Sequence, residues 1–271
     1  MRPRVALALL AGLALSGAAH GEARPLRLAT TTSTYETGLL DHILPPFESH
    51  HGVTVHAISV GTGKAMEIAR AGDVDVILVH AREAEDRFVA EGYGVNRRDV
   101  MYNDFIILGP QSDPAGIRGL ADIGQALTRV ENAAHPFVSR GDDSGTHKKE
   151  RHLWAGAGLT PRGDWYLEAG QGMSATLRMA DEKDAYVLVD RATYLHHRGR
   201  LRLRPMVEGD TQLLNPYGVI AISPYRHPHV QYQLSMALVA WLTSPECQEL
   251  IGQFRREGEQ LFHPDAAGSR E

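Results

Sequence analysis

The sequence contains a single cysteine, Cys247, so no disulfide bond can form within the chain. The fold must then be stabilised by burial of apolar side chains, and 43% hydrophobic residues are enough to form a core. The cysteine pairs of a zinc site are also missing, and the 14 histidines include no His-Glu-x-x-His sequence. We therefore expect a buried Cys247, histidines that belong to the surface or the core, and neither a metal centre nor a cofactor.

An excess of positive charge is absent as well. Lysine and arginine number 28 against 33 aspartates and glutamates, which gives a net charge of −5, and the charges are interspersed along the chain. This balance argues against binding to nucleic acid, whose phosphates attract basic surfaces. It does not exclude a small anion, because a buried anion site depends on local hydrogen-bond donors and not on net charge.

Long apolar runs are missing except at the amino terminus. One run spans residues 5–19, after the basic start Met-Arg-Pro-Arg and before a stretch of small residues. It is shorter than the ~20 residues that cross a bilayer, and its arrangement is typical of a secretory signal peptide. We expect residues 1–22 to be this signal, cleaved near Gly21 or Ala23, and the mature chain to be exported. An uncleaved anchor helix is the alternative.

The remaining sequence alternates between β-rich runs and helical patterns. Examples are the apolar run 74–80 followed by the helical pattern 81–92, and the long helical pattern 230–254 near the carboxyl end, which Pro245 should break. Repeated strand–helix alternation predicts an α/β fold with mostly parallel sheets and helices on both faces.

Two stretches rich in proline, glycine and polar residues interrupt this alternation, at 109–116 and 215–218. Two lobes joined by a two-stranded hinge explain the interruptions, with the crossings at about 109–116 and 210–218. A single larger sheet is the alternative. The predicted units are lobe I (23–109 and 217–262), lobe II (110–216) and a loose tail (263–271).

Polar turns follow three of the predicted strands, each directly before a helix. They are residues 29–38, which begin Ala-Thr-Thr-Thr-Ser, residues 59–65, which contain Gly-Thr-Gly-Lys, and residues 139–150, which begin Ser-Arg-Gly-Asp-Asp-Ser-Gly-Thr. Ligands bind beyond the carboxyl ends of the strands in such sheets, where helix N-termini offer unpaired N–H groups. Each turn alone is also explained by an ordinary helix N-cap. Three such turns with one arginine, Arg140, together predict a site for a small oxyanion.

Enzyme motifs fit the same stretches less well. A phosphate loop needs glycine five residues before Gly63 and Ser or Thr after Lys64, where Ile58 and Ala65 stand. Residues 142–146 resemble the nucleophile loop of chymotrypsin-like proteases, but that family is all-β. The Gly-x-Ser-x-Gly elbow is also absent. We expect no enzymatic activity, and an exported hydrolase that uses Ser144 is a remote alternative.

The combination of motifs resembles the periplasmic tungstate-binding proteins of bacterial ABC transporters. The residues that carry this resemblance are 30–33, 60–65, 73–86, 91–94, 139–150, 165–173 and 215–218. The resemblance implies a two-lobed type II binding-protein fold that closes on tungstate or molybdate in the periplasm, acts as a monomer and delivers its ligand to an inner-membrane permease. It also assigns the ligand contacts to Thr31, Thr32, Ser33, Thr62, Gly63, Arg140, Ser144, Gly145 and Thr146.

Phosphate-binding proteins share the Arg-x-Asp-x-Ser-Gly-Thr pattern of residues 140–146. Phosphate near neutral pH carries a proton and needs a carboxylate acceptor, which that family places after its third strand. The matching turn here is Val79-His80-Ala81, without a carboxylate, and an orienting ion pair with Arg140 is expected for Asp142 or Asp143. A site of donors only suits tungstate, molybdate or sulfate, and phosphate or sulfate is the runner-up. Charge and shape do not separate tungstate from molybdate.

Overall fold

The structure, a computed structural model, describes residues 24–266. The expected signal peptide and the last part of the expected tail, residues 267–271, lie outside this range. Within residues 24–266, no helix is both long and apolar enough to cross a bilayer.

Strands and helices alternate along most of the described chain, as the sequence predicts. The strands are β1 (Leu26–Thr31), β2 (Val55–Val60), β3 (Val76–Val79), β4 (Gly94–Gly109), β5 (Phe137–Ser139), β6 (Tyr166–Glu168), β7 (Val187–Asp190), β8 (Arg204–Val207), β9 (Leu214–Ile222), β10 (Arg255–Arg256), β11 (Glu259–Gln260) and β12 (His263–Pro264). The helices are α1 (Thr32–Glu36), α2 (Leu39–Ile43), α3 (Pro45–His51), α4 (Thr62–Ala71), α5 (Arg82–Ala90), α6 (Ile123–Ala133), α7 (Gly145–Gly156), α8 (Met173–Glu182), α9 (Arg191–His197), α10 (Tyr232–Leu242) and α11 (Pro245–Gln253).

The first sheet has the strand order β12-β4-β9-β3-β1-β2. β1 pairs in parallel with β2 and β3, whereas β9 runs antiparallel between β3 and β4. Along β3, Val76 and Leu78 join an apolar cluster with α2, α3, α10 and α11, while Ile77 and Val79 join one with α4 and α5. This alternation buries both faces of the sheet and confirms the predicted α/β layering.

Strand β4 connects the two halves of the molecule because it changes partners along its length. Gly94–Asp104 pair with β9, and Phe105–Gly109 pair with β7 and β8. β5 and β6 pair in parallel beside β7, and a parallel bridge joins Phe137 to Tyr186. β4 thus runs from the first sheet into the second group of strands.

We propose the partner change at Asp104 and Phe105 as the lobe boundary, with β9 returning from Leu214. Lobe I then contains β1–β3 with α1–α5, α10 and α11, and lobe II contains β5–β8 with α6–α9. With this boundary, the first crossing would lie before the stretch 109–116, because β4 continues through the boundary without a turn, and the second would lie at Leu214. The lobe bounds stay a prediction.

Pro245 begins α11, so the long helical pattern 230–254 breaks where the sequence predicts. Pro45 stands in the same way at the start of α3, after α2 has ended. A proline at the first helical position loses no hydrogen bond, because that N–H has no partner within the helix. Cys247 is fully buried, as expected, and burial raises the pKa of its thiol to about 12.

The predicted loose tail is wrong for its first residues. His263 and Pro264 pair with Tyr102 and Met101 of β4, and the ring of His263 stacks on Tyr102 with centroids 4.9 Å apart. The preceding Phe262 is fully buried in the core. An apolar anchor directly before the segment therefore fixes it against the sheet edge.

Candidate functional site

A cleft of about 1040 Å³ lies at the carboxyl ends of β1, β2 and β3 and is lined by residues of both lobes. Seven of the nine predicted contact residues line it: Thr31, Thr32, Thr62, Arg140, Ser144, Gly145 and Thr146. Gly63 does not line the cleft, and the side chain of Ser33 lies outside the described part of the structure. The three polar turns therefore converge on one place.

The turn after β1 presents two threonines to the cleft. Thr31 is the N-cap of α1 and accepts a hydrogen bond from the N–H of Thr34, and the two hydroxyl oxygens lie 2.7 Å apart. The neighbouring Thr30 points away, since its hydroxyl donates to the carbonyl of Leu78 at 2.9 Å. Thr31 is buried, whereas Thr32 is exposed. Thr30 is thus bonded within the sheet, whereas Thr31 and Thr32 line the cleft.

The turn after β2 places the start of α4 at the cleft. Gly61 is the N-cap and has no side chain that could satisfy the first N–H groups of the helix. Thr62 follows, mostly buried at 7% exposure, and both residues line the cleft. An uncapped helix start carries unpaired donors and a partial positive charge, which favours an anion.

Arg140 and the start of α7 form the lobe II side. The Nε and Nη2 atoms of Arg140 both donate to Oδ2 of Asp142, with Nε at 3.1 Å, and Oδ1 of Asp142 accepts from the N–H of Ser144. Burial disfavours the ionised Asp142, but these hydrogen bonds outweigh it and lower the pKa of the carboxyl. Asp142 is thus the ion-pair partner of Arg140, whereas Asp143 pairs with Lys148 on the surface.

Gly145 lies close to residues of lobe I in the cleft. A Cβ atom at this position would lie 3.3 Å from Cε1 of His80 and 3.7 Å from Oγ1 of Thr62, both in lobe I. The backbone at Gly145 is ordinary helix, so steric space and not conformation favours glycine here. The first turn of α7 can therefore approach the start of α4 closely.

Glu150 lies on α7 after this turn and is 2% exposed. Burial raises the pKa of its carboxyl to about 7, although the hydroxyl of Tyr166 donates to it at 2.6 Å. Its charge at neutral pH is therefore only partly developed, close to the anion site.

Most other residues that line the cleft were not predicted from the sequence, and His80 and Asp190 are two of them. His80 follows β3, and its Nδ1 lies 2.9 Å from Oδ1 of Asn215 on β9. Asp190 ends β7, lines the cleft and is 6% exposed, and burial raises the pKa of its carboxyl. In the sequence, each of them is a single polar residue between an apolar strand and a helix. Neither belongs to a turn rich in Ser, Thr and Gly, so that pattern does not indicate them.

Asp190 corrects the expectation of a site built from donors only. Its carboxylate accepts from the N–H of Thr193 at 2.9 Å and from the Thr193 hydroxyl at 2.6 Å, as the N-cap of α9. Each oxygen therefore already accepts one hydrogen bond within the helix cap. Carboxylates are present in the cleft, since Glu36 and Asp41 line it as well.

Ser144 has the contacts of a helix cap. Its hydroxyl accepts from the N–H of His147 at 3.3 Å, and the Nδ1 atom of His147 accepts from the N–H of Asp143. Between residues 24 and 266, no histidine ring is hydrogen-bonded to the Ser144 hydroxyl. A nucleophilic serine needs such a base, whereas the contacts shown for Ser144 are those of the N-cap of α7.

The cleft as a whole can surround a small anion with donors from both lobes. Lobe I offers Thr31, Thr62 and the N–H groups at the start of α4. Lobe II offers the guanidinium of Arg140 and the start of α7, whose hydroxyl-bearing residues Ser144 and Thr146 both line the cleft. Charged ligands bound through hydroxyl, N–H and guanidinium donors gain strong, charge-assisted hydrogen bonds.

Known proteins are similar to this chain in sequence and in fold. The family model of the PBP superfamily domain matches residues 16–246. A tungstate-binding protein, TupA, from Peptoclostridium acidaminophilum is 47% identical over 244 residues, which cover 89% of this chain and 85% of the relative.

Two solved structures agree with these matches. The tungstate ABC transporter structure from Geobacter sulfurreducens is 50% identical with a TM-score of 0.78, covering 85% of this chain and 98% of that chain. The tungstate-binding protein TupA from Desulfovibrio alaskensis G20 is 42% identical with a TM-score of 0.82, covering 90% of this chain and 100% of that chain. This two-lobed α/β chain belongs to the PBP superfamily and, within it, to the family of the tungstate-binding protein TupA.

Proposed function

We propose that this protein captures tungstate, or molybdate, in the cleft between its lobes and delivers it to an ABC importer. The observation that carries the proposal is the convergence of three donor-rich turns and Arg140 on one cleft lined by both lobes. The relatives named above, two tungstate-binding proteins and a structure of a tungstate ABC transporter, support the same ligand.

In this proposal the oxyanion is held by seven residues and undergoes no chemistry. The contacts are Thr31, Thr32, Thr62, Arg140, Ser144, Gly145 and Thr146, with Ser33 and Gly63 as further candidates. Hydrogen bonds to a charged group contribute roughly 1.5–3 kcal/mol each. Several of them, less the cost of bringing the lobes together, reach the ~12 kcal/mol of a nanomolar complex.

The remaining parts of the proposal concern the setting of the protein. The chain works in the periplasm after removal of residues 1–22, acts as a monomer, and docks in its closed form on a membrane permease. Lobe closure about β4 and β9 gives the permease a shape that differs between the loaded and the empty protein.

A direct test compares four anions on the purified protein after removal of bound ligand. Thermal-shift and calorimetric titrations use tungstate, molybdate, sulfate and phosphate under identical conditions. Tight binding of tungstate or molybdate with weak binding of the other two supports the proposal. A preference for phosphate or sulfate would replace it with the runner-up, and labelling of Ser144 by a serine-directed covalent probe would favour a hydrolase.

A further inference from the structure

His80 lines the cleft and lies close to Gly145 of lobe II. Its Cε1 atom is 3.3 Å from the position of a Cβ on Gly145, and the same position is 3.7 Å from Thr62 Oγ1. An anion that contacts Thr62 and the first turn of α7 therefore lies next to this ring. None of the turns rich in Ser, Thr and Gly contains His80.

A chain of buried side chains fixes the ring. Nδ1 of His80 lies 2.9 Å from Oδ1 of Asn215, and Nδ2 of Asn215 donates to Oδ1 of Asn103 at 2.8 Å. Nδ2 of Asn103 in turn donates to the hydroxyl of Tyr217 at 3.3 Å, and the Tyr217 ring packs on His80 with centroids 4.8 Å apart. The NH2 group of Asn215 donates to Asn103, so the atom of Asn215 that faces His80 is its oxygen, Oδ1. That oxygen can only accept, and Nδ1 of His80 therefore carries the proton.

The other ring nitrogen, Nε2, then holds a lone pair in the neutral imidazole. It has no hydrogen-bond partner between residues 24 and 266, and protein atoms do not enclose it. Since the ring lines the cleft, Nε2 is the His80 atom available to a ligand there. A lone pair repels a bare dianion, whereas a protonated Nε2 would donate to it.

The described groups that are shown to act on the His80 ring include no carboxylate. Asn215 and Tyr217 on β9 contact the ring, Thr62 on α4 lies near it, and Lys149 on α7 acts through its charge. Burial lowers the pKa of His80 to about 4, the hydrogen bond with Asn215 opposes this, and the Lys149 charge lowers it further. Lys149 itself is held by the carbonyl of Leu214 at 3.0 Å. The empty cleft therefore keeps His80 neutral at neutral pH.

We propose that His80 is an additional anion-contacting residue, whose Nε2 takes up a proton from solvent when a tetrahedral dianion enters the cleft. The inference rests on the proposed function. A dianion beside the ring favours its charged form, because opposite charges attract strongly where water is excluded. The ligand is then held by an imidazolium from lobe I and a guanidinium from lobe II, and the complex carries one proton more than the free protein.

This coupling fixes the direction of the pH dependence. Between the low pKa of the free protein and the raised pKa of the complex, the complex binds more protons, so affinity rises as the pH falls. One linked proton gives at most about a tenfold gain in affinity per pH unit. Above the pKa of the complex, the affinity is independent of pH.

Calorimetry of tungstate binding in HEPES and in Tris at about pH 7 measures the proton directly, since the apparent enthalpy changes with the ionisation enthalpy of the buffer. We expect net uptake of up to one proton by the wild-type protein. His80→Asn keeps an amide donor for Asn215 but removes Nε2, and His80→Gln keeps a polar group near the Nε2 position that does not titrate. We expect both to bind tungstate about tenfold or more weakly and without proton uptake.

His197→Asn is the matched control, because His197 also lines the cleft but its Nε2 is bonded to Ser174 at 2.9 Å. This variant should keep the wild-type uptake. Tungstate binding without proton uptake by the wild type would overturn the role of His80 and leave the proposed function intact. Uptake that survives both His80 variants would do the same, and absence of tungstate binding by the wild type would overturn both proposals.

Discussion

Replacing Arg140 by alanine is the most direct perturbation of the proposed site. The guanidinium is 15% exposed and already pairs with Asp142, which is 21% exposed. Its removal eliminates a charged donor to the ligand, worth roughly 1.5–3 kcal/mol. It also leaves the Asp142 carboxylate next to the anion without its cation. We therefore expect a total loss of about 2–5 kcal/mol in binding, or roughly 30-fold to several thousand-fold in Kd.

Competition calorimetry with tungstate measures this loss, because the wild-type affinity is expected to be too high for direct titration. Arg140→Ala combined with Asp142→Ala should recover part of the lost affinity, since the unpaired carboxylate is then removed. Arg82→Ala is the control, since Arg82 forms an exposed ion pair with Asp86 on α5 and does not line the cleft. An Arg140→Ala affinity within threefold of the wild type would remove Arg140 from the site.

Three further substitutions test the cleft, the buried charge and the core. Gly145→Ala places a methyl group 3.3 Å from His80, and we expect tungstate affinity to fall about tenfold in a calorimetric titration. Gly172→Ala is the control in the same cleft, because its methyl group meets nothing within 4 Å, and this variant should bind tungstate normally. The raised pKa of Glu150 means that the native state holds its proton between about pH 4.5 and 7 where the unfolded chain does not, so stability falls as the pH rises through this window. Urea unfolding of Glu150→Gln should show a smaller loss from about pH 5 to 8 than the wild type, and an equal loss would contradict the assignment. Phe262→Ala should cost about 3–5 kcal/mol in the same assay because the ring is fully buried, and a cost below about 1 kcal/mol would show that it does not anchor the carboxyl end.

Local patterns predicted the layers of the fold and most of the cleft. The run Val76–Val79 is apolar throughout because both of its faces are buried, and this is the pattern expected of a central parallel strand. Pro45 and Pro245 end helices for a reason that needs no tertiary contact. The polar turns were found because Ser, Thr and Gly before a helix indicate an open N-terminus, whatever the distant partners are.

Features that depend on distant pairing were not predictable in this way. β4 continues through the lobe boundary as one strand, so no turn or composition change marks the place where its partners change from β9 to β7 and β8. His263 and Pro264 look like a polar terminus, and only the position of Tyr102 on the sheet edge explains their pairing. The orientation of the His80 ring is fixed by Asn215, which lies 135 positions away in the sequence.

The charge distribution in the cleft explains how an acidic protein can hold a dianion. Arg140 is balanced by Asp142, and Asp190 adds a further buried carboxyl, so the inner site carries little net positive charge before the ligand arrives. Attraction must then come mainly from oriented N–H and O–H dipoles, which cost nothing to reorganise when they are already in place. A site of this kind discriminates by shape and by protonation more than by charge alone. His80, in the role proposed above, gains a proton on binding and so adds a positive charge when the dianion is present. When the cleft is empty the ring is neutral, and the protein avoids the cost of a buried, unpaired positive charge.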